Sequence, residues 1–222
     1  MLKFLFIALF LCSPLYAYQN ELALKGGVGI SVNTVQGKNN TEDTFVGYGF
    51  NSHFGYRLTK WEFNISSHVF FGKAKGIEFE ANNTTIVGNG VLRTVSFGPL
   101  IKYITDFTPA KNWHFYVNFG PTWSIKTVKI EEYRTSGGTF KDNYKLTYIS
   151  RGGIFAFGIE EILNYKQEHP VYLEFMYGYF RAHDVSLVDA SDNTSVQILA
   201  TESAGNDIED HIFMVNFGMT IF

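Results

Sequence analysis

The stretch Trp113–Lys126, WHFYVNFGPTWSIK, decides the fold. Trp113, Phe115, Val117, Phe119, Pro121, Trp123 and Ile125 fall on one phase of a two-residue period. His114, Tyr116, Asn118, Gly120, Thr122, Ser124 and Lys126 fall on the other. Successive side chains of an extended strand point to opposite faces, so the stretch reads as a strand with one large apolar face and one mostly small, polar face. The pattern recurs in Glu62–Phe71, where Phe63, Ile65, Val69 and Phe71 oppose Glu62, Asn64, Ser66 and His68. In Val171–Tyr179, Val171, Leu173, Phe175, Tyr177 and Tyr179 oppose Tyr172, Glu174, Met176 and Gly178. Leu22–Val32, Phe45–Leu58, Arg93–Ile104, Arg151–Glu161 and His211–Phe222 bring the number of such segments to eight.

The connections alternate in length. Thr59-Lys60, Asp106–Asn112 and Asn164–Pro170 are short, whereas Asn33–Thr44, Gly72–Leu92, Thr127–Ser150 and Ala182–Asp210 are long and polar. Short turns on one side and long loops on the other define an all-β, eight-stranded antiparallel up-and-down transmembrane β-barrel. Composition agrees. Of 222 residues, only 18% are charged, below the quarter or so of a soluble domain, and 45% are hydrophobic, too many for a disordered chain. The net charge of -3 gives no reason to expect nucleic acid as a partner. After the first twenty residues no apolar run is long enough for a spanning helix.

Residues 1–17 read as a signal peptide: Lys3, the apolar run Phe4–Leu11, the Ser13-Pro14 break and a small residue, Ala17, before the cut. Residues 18–222 then form a single outer-membrane barrel domain. The one cysteine, Cys12, lies in the leader, so disulfides, thiol catalysis and thiolate metal sites drop out.

Orientation follows from bulk. The lumen of eight strands is only wide enough for side chains to fill, so several large apolar groups per strand belong against lipid. Gly47, Gly49, Asn51, Gly55, Ser96, Gly98 and Gly158 suit a crowded interior. Tyr56, Trp61, Tyr103 and Trp113 stand beside the short turns, and Tyr48, Trp123 and Tyr179 near the long loops. Ten residues at about 3.4 Å each and a tilt near 40–45° put Trp113 and Trp123 about 25 Å apart in height, the span between two aromatic girdles. A Thr59-Lys60 turn sets Leu58 opposite Trp61, Tyr56 opposite Phe63, and Arg57 opposite Glu62 in the lumen.

These features resemble the small eight-stranded outer-membrane barrels of Gram-negative bacteria, the OmpA membrane domain and OmpX among them. The resemblance implies a place in the cell outer membrane and assembly by the barrel-assembly machinery, which reads a terminal aromatic, here Phe222. Phe222 departs from the family pattern, because Phe213, Val215, Phe217, Met219 and Ile221 share one face and Phe222 falls on the other.

Candidate chemistry lies on the inward phase and at the rim. Lys25, Arg57, Glu62, Lys102, Lys126, Glu160 and Glu174, with His53, His68 and His114, face the lumen. Buried charges must be paired, so a polar network that plugs the barrel is expected. A narrow porin-like channel is the alternative. His53 lies opposite Ser66. A lipid A-modifying enzyme, the second alternative, would need such a pair to face lipid, whereas this one points inward, so no catalysis is expected. No cofactor or metal site is expected either. Gly26-Gly27-Val28-Gly29 sits inside a strand and lacks the helix of a phosphate loop. Lys73, Arg93, Lys129, Arg151 and Arg181 lie on the outward phase at the loop ends of five strands, where a basic collar would meet lipopolysaccharide phosphates. The expected partners are therefore outer-membrane lipid and lipopolysaccharide, with the chain a monomer. Its function is expected to be display of surface loops for adhesion, partner contact or envelope maintenance.

Overall fold

The structure, a computed structural model, describes residues 21–36, 42–81, 84–135, 138–140, 144–161, 169–189, 195–196 and 208–221. Residues 1–17, expected to be a signal peptide, and Phe222, the expected assembly signal, lie outside these residues. Eight long strands carry the fold: β1 (Glu21–Gln36), β2 (Glu42–Leu58), β3 (Trp61–Ala81), β4 (Thr84–Ile104), β5 (Trp113–Thr135), β7 (Tyr144–Glu161), β8 (Val171–Asp189) and β10 (Glu209–Thr220). Two short pieces, β6 (Gly138–Phe140) and β9 (Ser195–Val196), add to β5 and β8 at their outer ends. Every long strand pairs antiparallel with its neighbours in sequence order, and β10 pairs with both β8 and β1, closing the barrel. Closure leaves the membrane-embedded backbone no unpaired edge, which hydrocarbon would not tolerate.

The register gives the shape. From Glu21 the pairing runs through Arg57, Glu62, Lys102, Asn118, Ala156, Met176 and Met214, and returns to β1 at Ser31, ten residues higher. That stagger over eight strands corresponds to a tilt of about 40°. The β2–β3 turn has the expected register, with Arg57 opposite Glu62 and Leu58 opposite Trp61. Its first central residue, Thr59, holds φ at 56°, the left-handed conformation that a two-residue hairpin turn demands.

Burial is inverted relative to a water-soluble protein. Ile30 and Ile65 are 66% and 65% exposed on the outer face, while Lys126 is 1% exposed inside. An outer surface of this kind is stable only against hydrocarbon.

Two expectations need correction. The segments Gly72–Leu92 and Thr127–Ser150, expected to be loops, are mostly strand. β3 and β4 stay paired out to Ala81 opposite Thr84, and β5 and β7 to Ile130 opposite Tyr144. Lys73, Lys129 and Lys145 interrupt the apolar outward phase there, so the alternation fades while the backbone ladder continues. Irregularities at Ala74/Ile77, Asn89/Gly90 and Ile149/Ser150 mark the transition.

The interior, expected to be small and polar, is layered. Phe70, Leu100, Ile154, Ala156, Met176, Phe180, Ile212 and Met214 pack into an apolar layer at mid-height. Phe45, Leu92, Val128, Ile130, Leu146, Ala182, Val185 and Leu187 form another nearer the outer end. Glycines make room for the large rings. A Cβ at Gly49 would lie 2.4 Å from the Phe70 ring, and one at Gly178 would lie 2.7 Å from the Phe180 ring.

Candidate functional site

The charged and imidazole side chains described in the lumen gather at three places. The lowest draws Lys25, Arg57, Glu62, Lys102 and Glu160 from five strands, and all five are buried. Lys25 Nζ donates to Glu62 Oε2 at 2.8 Å and to Glu160 Oε2 at 3.2 Å. Arg57 donates through Nη2 to Glu62 Oε2 at 3.0 Å and to Glu160 Oε1 at 2.9 Å, with Nε 3.3 Å from Glu62. Lys102 Nζ binds Glu160 and stands 3.7 Å above the Tyr116 ring. Each carboxylate is thus held by more than one cation, the condition for tolerating charge away from water. His114 lies half-buried on the inward phase near the foot of β5.

One layer higher the chemistry changes. Glu174 accepts from the Tyr116 hydroxyl at 3.2 Å and from Asn216 Nδ2 at 3.1 Å, both neutral donors. His53 and His68 approach it, and ligand atoms of the three side chains lie within 4.8 Å of one another. The two imidazoles meet edge to face at 5.5 Å. Ser66 Oγ lies 3.3 Å from His68 Nδ1 rather than on His53, its partner across the strands. His53 is buried beside Asn64. Sequence phase placed these residues inside, but the convergence of His53, His68 and Glu174 depends on the ten-residue stagger, which the sequence does not display.

Lys126 does not join the lower network. It pairs with Asp210 at 2.5 Å, beside the outer apolar layer. Asp210 is hard to read from sequence because it follows an acidic, loop-like run. Continuing the period of His211–Phe222 back by one residue would have placed it inward with Ile212 and Met214.

At the rim, Lys73, Arg93, Lys129, Arg151 and Arg181 are all exposed on the outer face. The register adds a cation that sequence reading missed. Lys145 of β7 faces Lys129 of β5, and Arg151 faces Arg181 on β8. Like charges placed directly opposite are unfavourable unless an anion lies between them. Lys129 is 3.8 Å from Glu131, and Arg181 binds Glu209 at 3.0 Å. Arg93, Lys129 and Lys145, with Val91 and Thr127, line one open groove of about 400 Å³. The Tyr179 hydroxyl donates to Glu209 at 2.7 Å and accepts from Arg181 Nε at 2.8 Å. The hydrogen bond from Tyr179, then that from Arg181, holds the Glu209 carboxyl below the usual carboxylate range. At the opposite end, the hydrogen bond from Lys60 to Asp106 at 2.7 Å raises the Lys60 ammonium above its ordinary value.

The girdle residues all point outward. Trp61 packs on Tyr103 with ring centroids 4.7 Å apart, Trp123 stacks on Phe97 at 5.8 Å, and Tyr48 tilts against Phe71 at 6.1 Å. Tyr56 lies opposite Phe63, and Trp113 stands at the foot of β5 opposite Glu161.

No family model matches the sequence. No curated protein matches it. Among solved structures, Neisserial surface protein A is similar at 12% identity, covering 89% of this chain and 97% of that one, with a TM-score of 0.44. The outer membrane protein OprG from Pseudomonas aeruginosa is similar at 12% identity, covering 90% of this chain and 95% of that one, with a TM-score of 0.44. Ail, the attachment invasion locus protein of Yersinia pestis, is similar at 12% identity, covering 91% of this chain and 99% of that one, with a TM-score of 0.41.

Proposed function

We propose that this chain is an integral outer-membrane barrel that does no catalysis. Its lumen is closed by its own side chains, and it holds long outer hairpins at the cell surface for adhesion, partner contact or envelope maintenance. The observation that carries this reading is the filling of the interior. Above the ionic cluster, Phe70, Leu100, Ile154, Met176, Phe180, Ile212 and Met214 pack on one another at mid-height. Ions do not cross such an apolar constriction readily. The hairpins fit the same role. β3 and β4 remain paired for ten residues beyond Phe71, about 25 Å at the strand tilt.

The lipid partner follows from the rim. Arg151 opposite Arg181 and Lys129 opposite Lys145 suit the phosphates of lipopolysaccharide, which would lie between them and turn repulsion into charge-assisted hydrogen bonds. The barrel would act as a monomer, delivered by the barrel-assembly machinery.

Reconstitution in a planar bilayer tests the lumen, with no steady conductance expected. Reproducible conductance that shifts in Lys102→Met or Glu174→Gln would replace this reading with a narrow channel. Arg151→Glu combined with Lys145→Glu tests the collar. Lipopolysaccharide co-purifying with the folded barrel should fall several-fold, and unchanged co-purification would remove the collar.

A further inference from the structure

The buried carboxylates of the barrel are not treated alike. Glu62 and Glu160 sit among Lys25, Arg57 and Lys102, and Asp210 sits on Lys126. Glu174 is buried just as deeply, at 2% exposure, yet among the described residues no cation bridges it. It faces two buried imidazoles instead. An ionised carboxylate away from water needs a compensating charge, and the groups that converge on Glu174 are imidazoles, which are cation ligands.

From this geometry we infer that His53, His68 and Glu174 form a binding site for a divalent transition-metal ion, with zinc the best match. Two imidazoles and one carboxylate are the donor set of open zinc sites, and imidazole nitrogens exclude magnesium and calcium as preferred occupants. Ligands 2.0–2.1 Å from a tetrahedral zinc are about 3.4 Å apart, so donors already within 4.8 Å need only side-chain rotation to close. The outer shell is in place. Tyr116 and Asn216 each hold one oxygen of Glu174, and Ser66 borders His68. His53 and Glu174 also border a small cavity, about 10 Å³, with room for one water to complete the coordination. The ionic cluster lies below the site and the apolar layer above it, so the ion enters as the barrel forms.

Barrel refolded in detergent without metal, then with Zn²⁺ or Co²⁺ alone, gives the test. The wild type should retain about one equivalent of Zn²⁺ after dialysis. With Co²⁺ it should show the visible absorption band of a tetrahedral nitrogen and oxygen site. His53→Ala and Glu174→Gln should each weaken binding more than tenfold, while His169→Ala, outside the lumen, should not. Should the variants fail to refold, the wild type alone decides, through the Co²⁺ band and a rise in melting temperature with Zn²⁺. Less than a tenth of an equivalent bound, no Co²⁺ band, or undiminished binding in a folded His53→Ala, His68→Ala double variant would overturn the site. A flat metal titration would mean that the third cation of the lower cluster balances Glu174 from a distance.

Discussion

The lumen and the outer rim are built from the same cations under opposite constraints. Inside, Lys25, Arg57 and Lys102 interlock with Glu62 and Glu160, and Lys126 closes on Asp210. At the rim, Arg151 is set against Arg181 and Lys129 against Lys145. Desolvation explains the difference. A charge withdrawn from water must be neutralised by the chain itself, or the fold loses several kcal/mol. A charge at the water boundary carries no such demand, and its partner can come from outside. Lumen charges are therefore bound to stability, whereas rim charges are free of that demand.

Three measurements would break or sharpen that contrast. The largest effect should come from Glu160→Gln, which leaves three buried cations against one carboxylate. Unfolding in urea-containing lipid vesicles should show a loss of about 3–5 kcal/mol. A loss below about 1 kcal/mol would mean that water reaches the cluster. The Lys126–Asp210 pair comes next. Lys126→Met alone should cost about 3 kcal/mol, because Asp210 is left charged among apolar neighbours. Adding Asp210→Asn should recover most of that loss, and a double-mutant cycle measures the coupling. The smallest effect belongs to the rim. Glu209 has a depressed pKa, so its favourable contact with Tyr179 and Arg181 is present above the usual carboxylate range and is lost as pH falls through the folded value. An NMR titration of the Glu209 carboxyl should show the depressed midpoint, and Tyr179→Phe should move it upward. Because the contact lies at the surface, with Arg181 exposed and Tyr179 and Glu209 half-buried, overall stability should hardly change across that window.

How much of this was legible in the sequence depended on where water lies. Within the membrane each strand meets two different solvents, lipid outside and the packed lumen inside, and the two-residue period records both. Trp113–Lys126 therefore gave its phase without ambiguity, and the Arg57 and Glu62 facing pair followed from a turn of two residues. Beyond the membrane polar residues such as Lys73 and Lys129 enter the outward phase, the period loses its contrast, and the outer parts of β3, β4 and β5 read as loops. Inside the barrel, phase told which side chains point inward but not which ones meet. Glu174 reaches His53 and His68 across a closed cylinder, and Lys145 reaches Lys129 through a register fixed only by pairing. The mid-height apolar layer went unread for a related reason. Phe70, Phe180 and Met214 lie on a phase that is otherwise mostly small and polar, and the glycines that admit the two phenylalanine rings are on neighbouring positions or strands.

The seam between the first and last strands carries its own consequence. β1 and β10 are stitched from Lys25 opposite Thr220 to Gln36 opposite Glu209, joining ends of the chain separated by most of its length. No local hairpin can substitute for that join, and such distant pairings form late and slowly. Until the C-terminal segment arrives, the nascent sheet has two raw margins and an oily outside. Whatever holds those margins apart from water before the cylinder closes acts on the same two strands, β1 and β10.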